Sequence, residues 1–239
     1  MERDARRRRG DPSRRIRRIV RLLEASYGVP KASRDRDLVG SLVQTVLSQH
    51  TTDAASDAAF AALRRRFGSW EAVSSADARS VEATIRGAGL ARRKARTIKG
   101  ALARLARERK RIDLSFLTRM PTEEVQRYLT GYDGVGAKTA ACVLLFGLGR
   151  EVVPVDTHVH RVVGRLGVVG RQRTREATFE ALSGVVPRGK ALSLHVNLVR
   201  HGRSVCRAGR PRCRECTLSE SCDFGAASAG GSDSLGSER

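Results

Sequence analysis

Residues 129–144 read LTGYDGVGAKTAACVL, and this stretch decides how the chain is built. A helical pattern ends near Leu129, a turn follows with Gly131, Gly134 and Gly136, and a second helix opens at Ala137. Glycine tolerates positive φ and lets the backbone come close to a ligand. The first N–H groups of a helix lack internal acceptors and sit at the positive end of its dipole. A glycine turn feeding a helix is therefore an anion site, suited to a DNA phosphate. Taken alone, G-V-G between helices is a weak signal, and a plain connecting turn is the competing reading. Lys138 shifts that balance. It stands in the first helical turn, where the dipole disfavours a cation, and it is one of only six lysines in this Arg-rich chain. Disfavouring the ammonium frees the amine as a nucleophile. An ordinary solvated lysine is the alternative.

On both sides of the hairpin the apolar residues keep helical period. Ile16, Ile19, Val20 and Leu23 make one stripe, and Leu38, Val39, Leu42, Val43, Val46 and Leu47 a second. Ala54, Ala58, Ala61 and Ala62 with Leu63 and Phe67 make a third, closing at Gly68. Such stripes at i, i+3, i+4, i+7 are the mark of amphipathic helices. The pattern predicts further helices over 76–86, 91–108, 122–130, 137–147, 157–166, 174–185 and 190–201, with Asp53, Thr122, Asp156 and Thr174 as caps. Val152, Val153 and Val155 are strand-like, but Pro154 interrupts them, which predicts a loop. The fold class is all-α. Residues 1–13, with the run Arg6–Arg9, read as a disordered basic arm. The Gly/Ser/Ala-rich residues 224–239 read as a disordered tail.

Composition narrows the function. Of 239 residues, 40% are hydrophobic, enough to bury a core. Lys and Arg number 46 against 25 Asp and Glu, a formal charge of +21. So basic a domain faces a polyanion, most commonly nucleic acid; Arg-rich usage plus a basic tail is the bland explanation. No run of about 18 apolar residues is present to span a membrane. The segment from Met1 to Arg18 lacks an apolar secretory core. The expected location is a reducing cytoplasm, where five cysteines stay unpaired.

Four of those cysteines, Cys206, Cys213, Cys216 and Cys222, have the spacing C-x6-C-x2-C-x5-C. Four thiolates within so short a segment converge on one metal centre, either tetrahedral zinc or a [4Fe–4S] cluster, and spacing alone does not choose. With all four ligands from protein the centre is structural. Arg207, Arg210, Arg212 and Arg214 lie among the ligands, and a pinned loop of guanidinium groups suits phosphate. Asp156 follows Lys138 by 18 residues, in VPVDTH. Its modest role is to cap the next helix. A carboxylate there also suits an oxocarbenium-like sugar, as in glycoside hydrolysis. His158 and His160 are two apart on a helix, a poor metal pair.

GVGAKTA, VDTHVHRV and HGRSVCRAGRPRCRECTLSESC together resemble the endonuclease III family of helix-hairpin-helix DNA glycosylases, over about residues 16–223. The resemblance implies a [4Fe–4S] cluster rather than zinc, held by the four cysteines. It places Lys138 on the family's Schiff-base lysine, Asp156 on its catalytic aspartate, and Gly134 and Gly136 on the hairpin glycines. It implies two helical domains with a DNA cleft between them: a six-helix domain at 32–150, and a cluster domain joining 14–31 to 151–223. The partner is double-stranded DNA carrying damaged bases or abasic sites. The activity is bifunctional, glycosylase plus AP lyase, with oxidised pyrimidines as the family's usual substrates. A monomer in a bacterial-type, nucleoid-associated setting is the expected form, with no membrane contact.

Two departures stand out. Where the family commonly has S-A-Q-A-T-D, this chain has Ser48-Gln49-His50-Thr51-Thr52-Asp53, so Gln49 or His50 fills the gap left by a flipped base. The approach TGYDGVG is one or two residues longer than the commonest form. Relatives acting on pyrimidine dimers share both Lys and Asp. Mismatch-specific relatives lack the hairpin lysine and carry a Glu where this chain has Thr45. A non-catalytic iron–sulfur DNA-binding module would need neither Lys138 nor Asp156.

Overall fold

A computed structural model describes residues 11–31, 37–170 and 172–229. The Arg6–Arg9 run, the expected boundary at 32 and the tail from 230 lie outside these. Among the described residues the chain is helical without strands. In chain order the helices are α1 Pro12–Tyr27, α2 Leu38–Leu47, α3 Asp53–Phe67, α4 Trp70–Ser75, α5 Ala78–Thr84, α6 Ala91–Arg109, α7 Thr122–Thr130, α8 Ala137–Cys142, α9 Thr157–Leu166, α10 Arg175–Leu182, α11 Ala191–Ser204 and α12 Asp223–Ala229. The chain divides into two compact units, one of residues 33–150 and the other of residues up to 32 with those from 151 onward. No helix among the described residues is long and apolar enough to cross a membrane.

In the 33–150 unit, Leu42, Val46, Leu47, Leu63, Val73, Val81, Ile98, Leu102 and Leu105 are each at most 2% exposed and form the core. Asp37 caps α2 through the N–H of Gly40 at 2.7 Å and accepts from the indole of Trp70 at 2.8 Å. That second bond ties down α4, a short helix the apolar pattern does not announce. The segment expected as one helix over 76–86 is instead α5 followed by a 3-10 turn at Arg86–Ala88. Thr52, not Asp53, caps α3, accepting from Ala55 N at 3.2 Å, and Asp53 falls in the first turn. Thr122 likewise opens α7, behind Pro121. The helix expected over 137–147 is α8 running into a π-helical turn at Val143–Gly147, with Leu148 N bonded to Val143 O at 3.1 Å.

In the other unit, α1 buries the stripe Ile16, Ile19, Val20 and Leu23. It begins at Pro12, inside the arm expected to reach residue 13. Asp11 accepts from Ser13 N, and Pro12 suits the first helical turn. Side chains join α1 to the C-terminal segment. Arg15 donates to Leu166 O at 2.7 Å, Ser221 O at 3.2 Å and Asp223 at 2.9 Å, and Lys190 pairs with Glu24 at 2.9 Å. These long-range bonds bring the two ends of the chain into one unit. They also correct the expected tail. It was expected to be disordered from 224, but α12 forms there: Asp223 is held by Arg15, the Phe224 ring lies 4.8 Å under Arg165, and Gly225 N reaches Cys222 Sγ at 3.4 Å. Small residues without a helical stripe concealed these anchors.

Candidate nucleic-acid interface and metal centre

The hairpin follows from the sequence at every step. Leu129 and Val135 are buried on either side of the turn, and Tyr132 between them is 3% exposed. Its hydroxyl donates to Tyr128 at 2.9 Å, Tyr128 donates to Glu108 at 3.2 Å, and the Arg104 guanidinium lies 4.5 Å from the Tyr132 ring. Burial pushes the Tyr132 phenol far above its ordinary value, aided by the bond to Tyr128. The extended approach is thus packed down as an aromatic–arginine cluster. Gly134 has φ 78°, and a Cβ there would run into the Thr97 hydroxyl. Gly136 is exposed at the N-cap of α8, with open space where a Cβ would stand. Lys138, half-buried, is the second residue of α8.

Two neighbouring turns of the same unit present side chains outward. Gln49 donates through Nε2 to Gly134 O at 3.2 Å and to Thr139 Oγ1 at 3.1 Å, so it braces the hairpin. His50 is exposed with φ 52°, in the left-handed region that costs a non-glycine residue of order 1 kcal/mol. Leu90 has φ 49° and is 54% exposed, beside exposed Arg92 and Arg93. Leu90 closes the turn Gly87-Ala88-Gly89-Leu90. The signal available was an apolar residue closing a glycine turn ahead of three cations.

In the other unit, Asp156 caps α9, accepting from Val159 N at 2.7 Å. The loop before it has Val153 and Val155 buried, and His195 donates through Nδ1 to Pro154 O at 2.9 Å. His158 and His160 take separate partners, Arg161 at 3.0 Å and Thr178 at 2.7 Å.

Cys206, Cys213, Cys216 and Cys222 line one small cavity, walled by Val162, Leu166, Pro211 and Leu218. Among the described residues, no three His, Cys, Asp or Glu side chains converge as a single ion requires. Four cysteine thiols around one cavity are the donor set that a protein-held metal centre uses. Polar partners reach three of the sulfurs: Arg165 Nη1 donates to Cys206 at 3.3 Å and Gly225 N to Cys222 at 3.4 Å, Cys222 Sγ donates to Arg165 O at 3.4 Å, and His201 Nε2 is 3.5 Å from Cys216. Burial pushes the Cys216 and Cys222 thiols up, and the neighbouring cysteines add to that shift. Arg161 and Arg165 hold the loop backbone through Cys206 O at 3.0 Å, Arg207 O at 2.6 Å and Ala208 O at 2.8 Å. Arg207, Arg210, Arg212 and Arg214 are exposed.

Residues 43–188 match the family described as HhH-GPD superfamily base excision DNA repair protein. A relative from Arabidopsis thaliana carrying a DNA glycosylase's name is 39% identical over 169 residues, 71% of this chain; the chain spans 58% of that relative's length. Endonuclease III of Thermotoga maritima is 32% identical over 195 residues, covering 82% of this chain and 87% of that one. The solved trapped endonuclease III–DNA covalent intermediate, an estranged-adenine complex, superposes with a TM-score of 0.76 at 26% identity, covering 91% of this chain and 98% of that one. The chain belongs to the endonuclease III family, within the HhH-GPD superfamily of base excision DNA repair proteins.

Proposed function

We propose that this protein is a bifunctional DNA glycosylase and AP lyase that removes oxidised pyrimidines from double-stranded DNA, as a monomer in the reducing cytoplasm. The observation that carries the reading is Lys138, held in the first turn of the helix that follows the hairpin glycines. In this reading the backbone at Gly134 and Gly136 takes a phosphate, and Arg207 and Arg210 take others. His50 and Leu90 enter the duplex as the damaged nucleotide leaves the stack, and Gln49 braces His50's turn against the hairpin. Extruding a base costs a few kcal/mol, which side chains filling the gap offset. An inserted Leu is the sort of apolar wedge that unstacks a base step.

The chemistry then runs through two side chains. As the C1′–N bond breaks, the base leaves with the bonding electrons and Asp156 stabilises the positive charge on the sugar. The amine of Lys138 attacks C1′, and ring opening with loss of a proton gives an iminium. That iminium acidifies C2′–H. Loss of this proton expels the 3′ phosphate and breaks the strand, and water later releases the lysine. The four cysteines would hold a [4Fe–4S] cluster, which supplies structure to the arginine loop and no step at the sugar.

Borohydride trapping on a lesion-containing duplex tests the mechanism. The wild-type protein should give a covalent protein–DNA adduct, and Lys138→Ala should give neither adduct nor scission while still binding DNA. Asp156→Asn should slow base release by about 10²–10³, the scale of losing one preorganised electrostatic group. An adduct formed by Lys138→Ala at the normal rate would assign the nucleophile elsewhere.

A further inference from the structure

The 33–150 unit buries a cation that the proposed chemistry does not use. Lys94 is 2% exposed, among the largest fully buried side chains of the described residues. A buried ammonium is costly unless its protons are taken up. Here Nζ donates to two main-chain carbonyls, Leu47 O and Ala88 O, each at 2.7 Å. Burial pulls this ammonium below the ordinary lysine value. A methionine would fill the same volume without that penalty, so the charge answers a need that packing does not meet.

The two carbonyls indicate what that need is. Leu47 ends α2, and His50 follows three residues later. Ala88 ends the 3-10 turn, and Leu90 follows two residues later. Among the described residues the non-glycine positions at positive φ are His50, Leu90 and Lys110. Two of those three therefore lie just beyond the carbonyls that one ammonium holds. Left-handed, solvent-facing side chains persist only where the surrounding structure over-determines them. We propose that Lys94 is a positioning residue that fixes the turns of His50 and Leu90 in mutual register, so that both side chains enter the duplex together. It touches no DNA and acts through the two turns. This rests on the reading of His50 and Leu90 as duplex-entering groups.

The test uses the whole protein and a duplex carrying an abasic-site analogue opposite 2-aminopurine, whose fluorescence rises on unstacking. Saturating wild-type protein should raise the signal, and the His50→Ala/Leu90→Ala double variant should lose the rise. Lys94→Met should lose it as well, with an unchanged Kd. On a lesion duplex its kcat should fall tenfold to a hundredfold, on the order expected for small misplacements, with KM nearly constant. Introduced into the double variant, Lys94→Met should cost almost nothing further, because it acts through those turns. A full additional loss there, or a retained rise in Lys94→Met alone, overturns the proposal. A retained rise in the His50/Leu90 double variant instead sinks the reading of those two residues, and the role given to Lys94 with it. Should Lys94→Met fail to melt cooperatively, Lys94→Arg replaces it. That variant keeps the cation but changes its reach, and the same loss is expected.

Discussion

The hairpin and the cysteine loop are both glycine-bearing segments, yet they are held in opposite ways. The hairpin stands on its own unit's core: Leu129, Tyr132 and Val135 are buried, Gly134 fits against Thr97, and Gln49 closes the turn. The cysteine loop contributes only Leu218 to the core, and the 3-10 turns at Cys213–Glu215 and Ser219–Ser221 bury nothing. Arginines from α1 and α9 grip its carbonyls, and four thiols surround a cavity. One segment is shaped by apolar burial and glycine. The other has too little burial to be shaped that way and is held by polar bonds from two helices.

The strongest way to break this contrast is to remove a thiol. Structural metals contribute on the order of 10 kcal/mol to folding the segments that bind them. Cys216→Ser should abolish iron and the visible absorbance, where the wild type is expected to carry about four irons. Amide exchange across 206–222 should rise to the level of an unprotected chain, while 129–144 keeps its protection. Anaerobic chelation of the wild-type protein should do the same. Equal loss of protection in both segments would show that the hairpin leans on the cluster after all. Colourless protein with stoichiometric zinc would remove the cluster altogether.

The converse break is smaller. Gly134→Ala meets two obstacles, a left-handed φ that costs an L-residue roughly 1–2 kcal/mol and a Cβ driven into the Thr97 hydroxyl. The expected result is about tenfold weaker binding of an abasic duplex, with iron content unchanged. Thr97→Ala should relieve the clash but not the φ cost, so the pair should recover only part of the loss. Full recovery would mean that φ is not the constraint.

The contrast also explains what the sequence discloses. Apolar stripes such as Leu38–Leu47 and Ile16–Leu23 mark their helices because burial dictates period. The hairpin glycines and the cysteine spacing are visible because each is a local pattern. What stays hidden depends on partners distant in the chain. Trp70 needs Asp37 to hold α4, Phe224 needs Arg165 to order the start of the tail, and Lys94 needs two carbonyls that no pattern announces. His50 and Gln49 are adjacent and equivalent on paper. Only the bonds of Gln49 to Gly134 and Thr139 separate the brace from the exposed side chain. Both Thr52 and Asp53 are good capping residues, and Thr52 is the cap because it keeps extended backbone and its hydroxyl accepts from Ala55 N.

The smallest expected effect distinguishes positioning from chemistry within the cysteine loop. Arg207 and Arg210 are exposed; Arg207 spends its Nε on Ser204 O at 3.2 Å, which leaves its terminal nitrogens to face a phosphate. Arg212 lies 3.5 Å from Glu215, so part of its charge is already answered. Each phosphate neutralised on duplex DNA contributes about 0.9 to the slope of log K against log salt. Five such contacts would give the wild-type protein a slope near −4.5 on undamaged duplex. Replacing Arg207 and Arg210 with Ala should therefore flatten the slope by about 1.8. Arg212→Ala should flatten it by less than either single change. Lesion preference should not move, because phosphate contacts fix register and carry no base information. The iron content should also stay constant, since neither side chain carries a sulfur. A slope unchanged in the double variant would remove the loop from the DNA footprint and leave its arginines as scaffolding for the metal centre. A changed lesion preference would mean instead that the loop reaches the base.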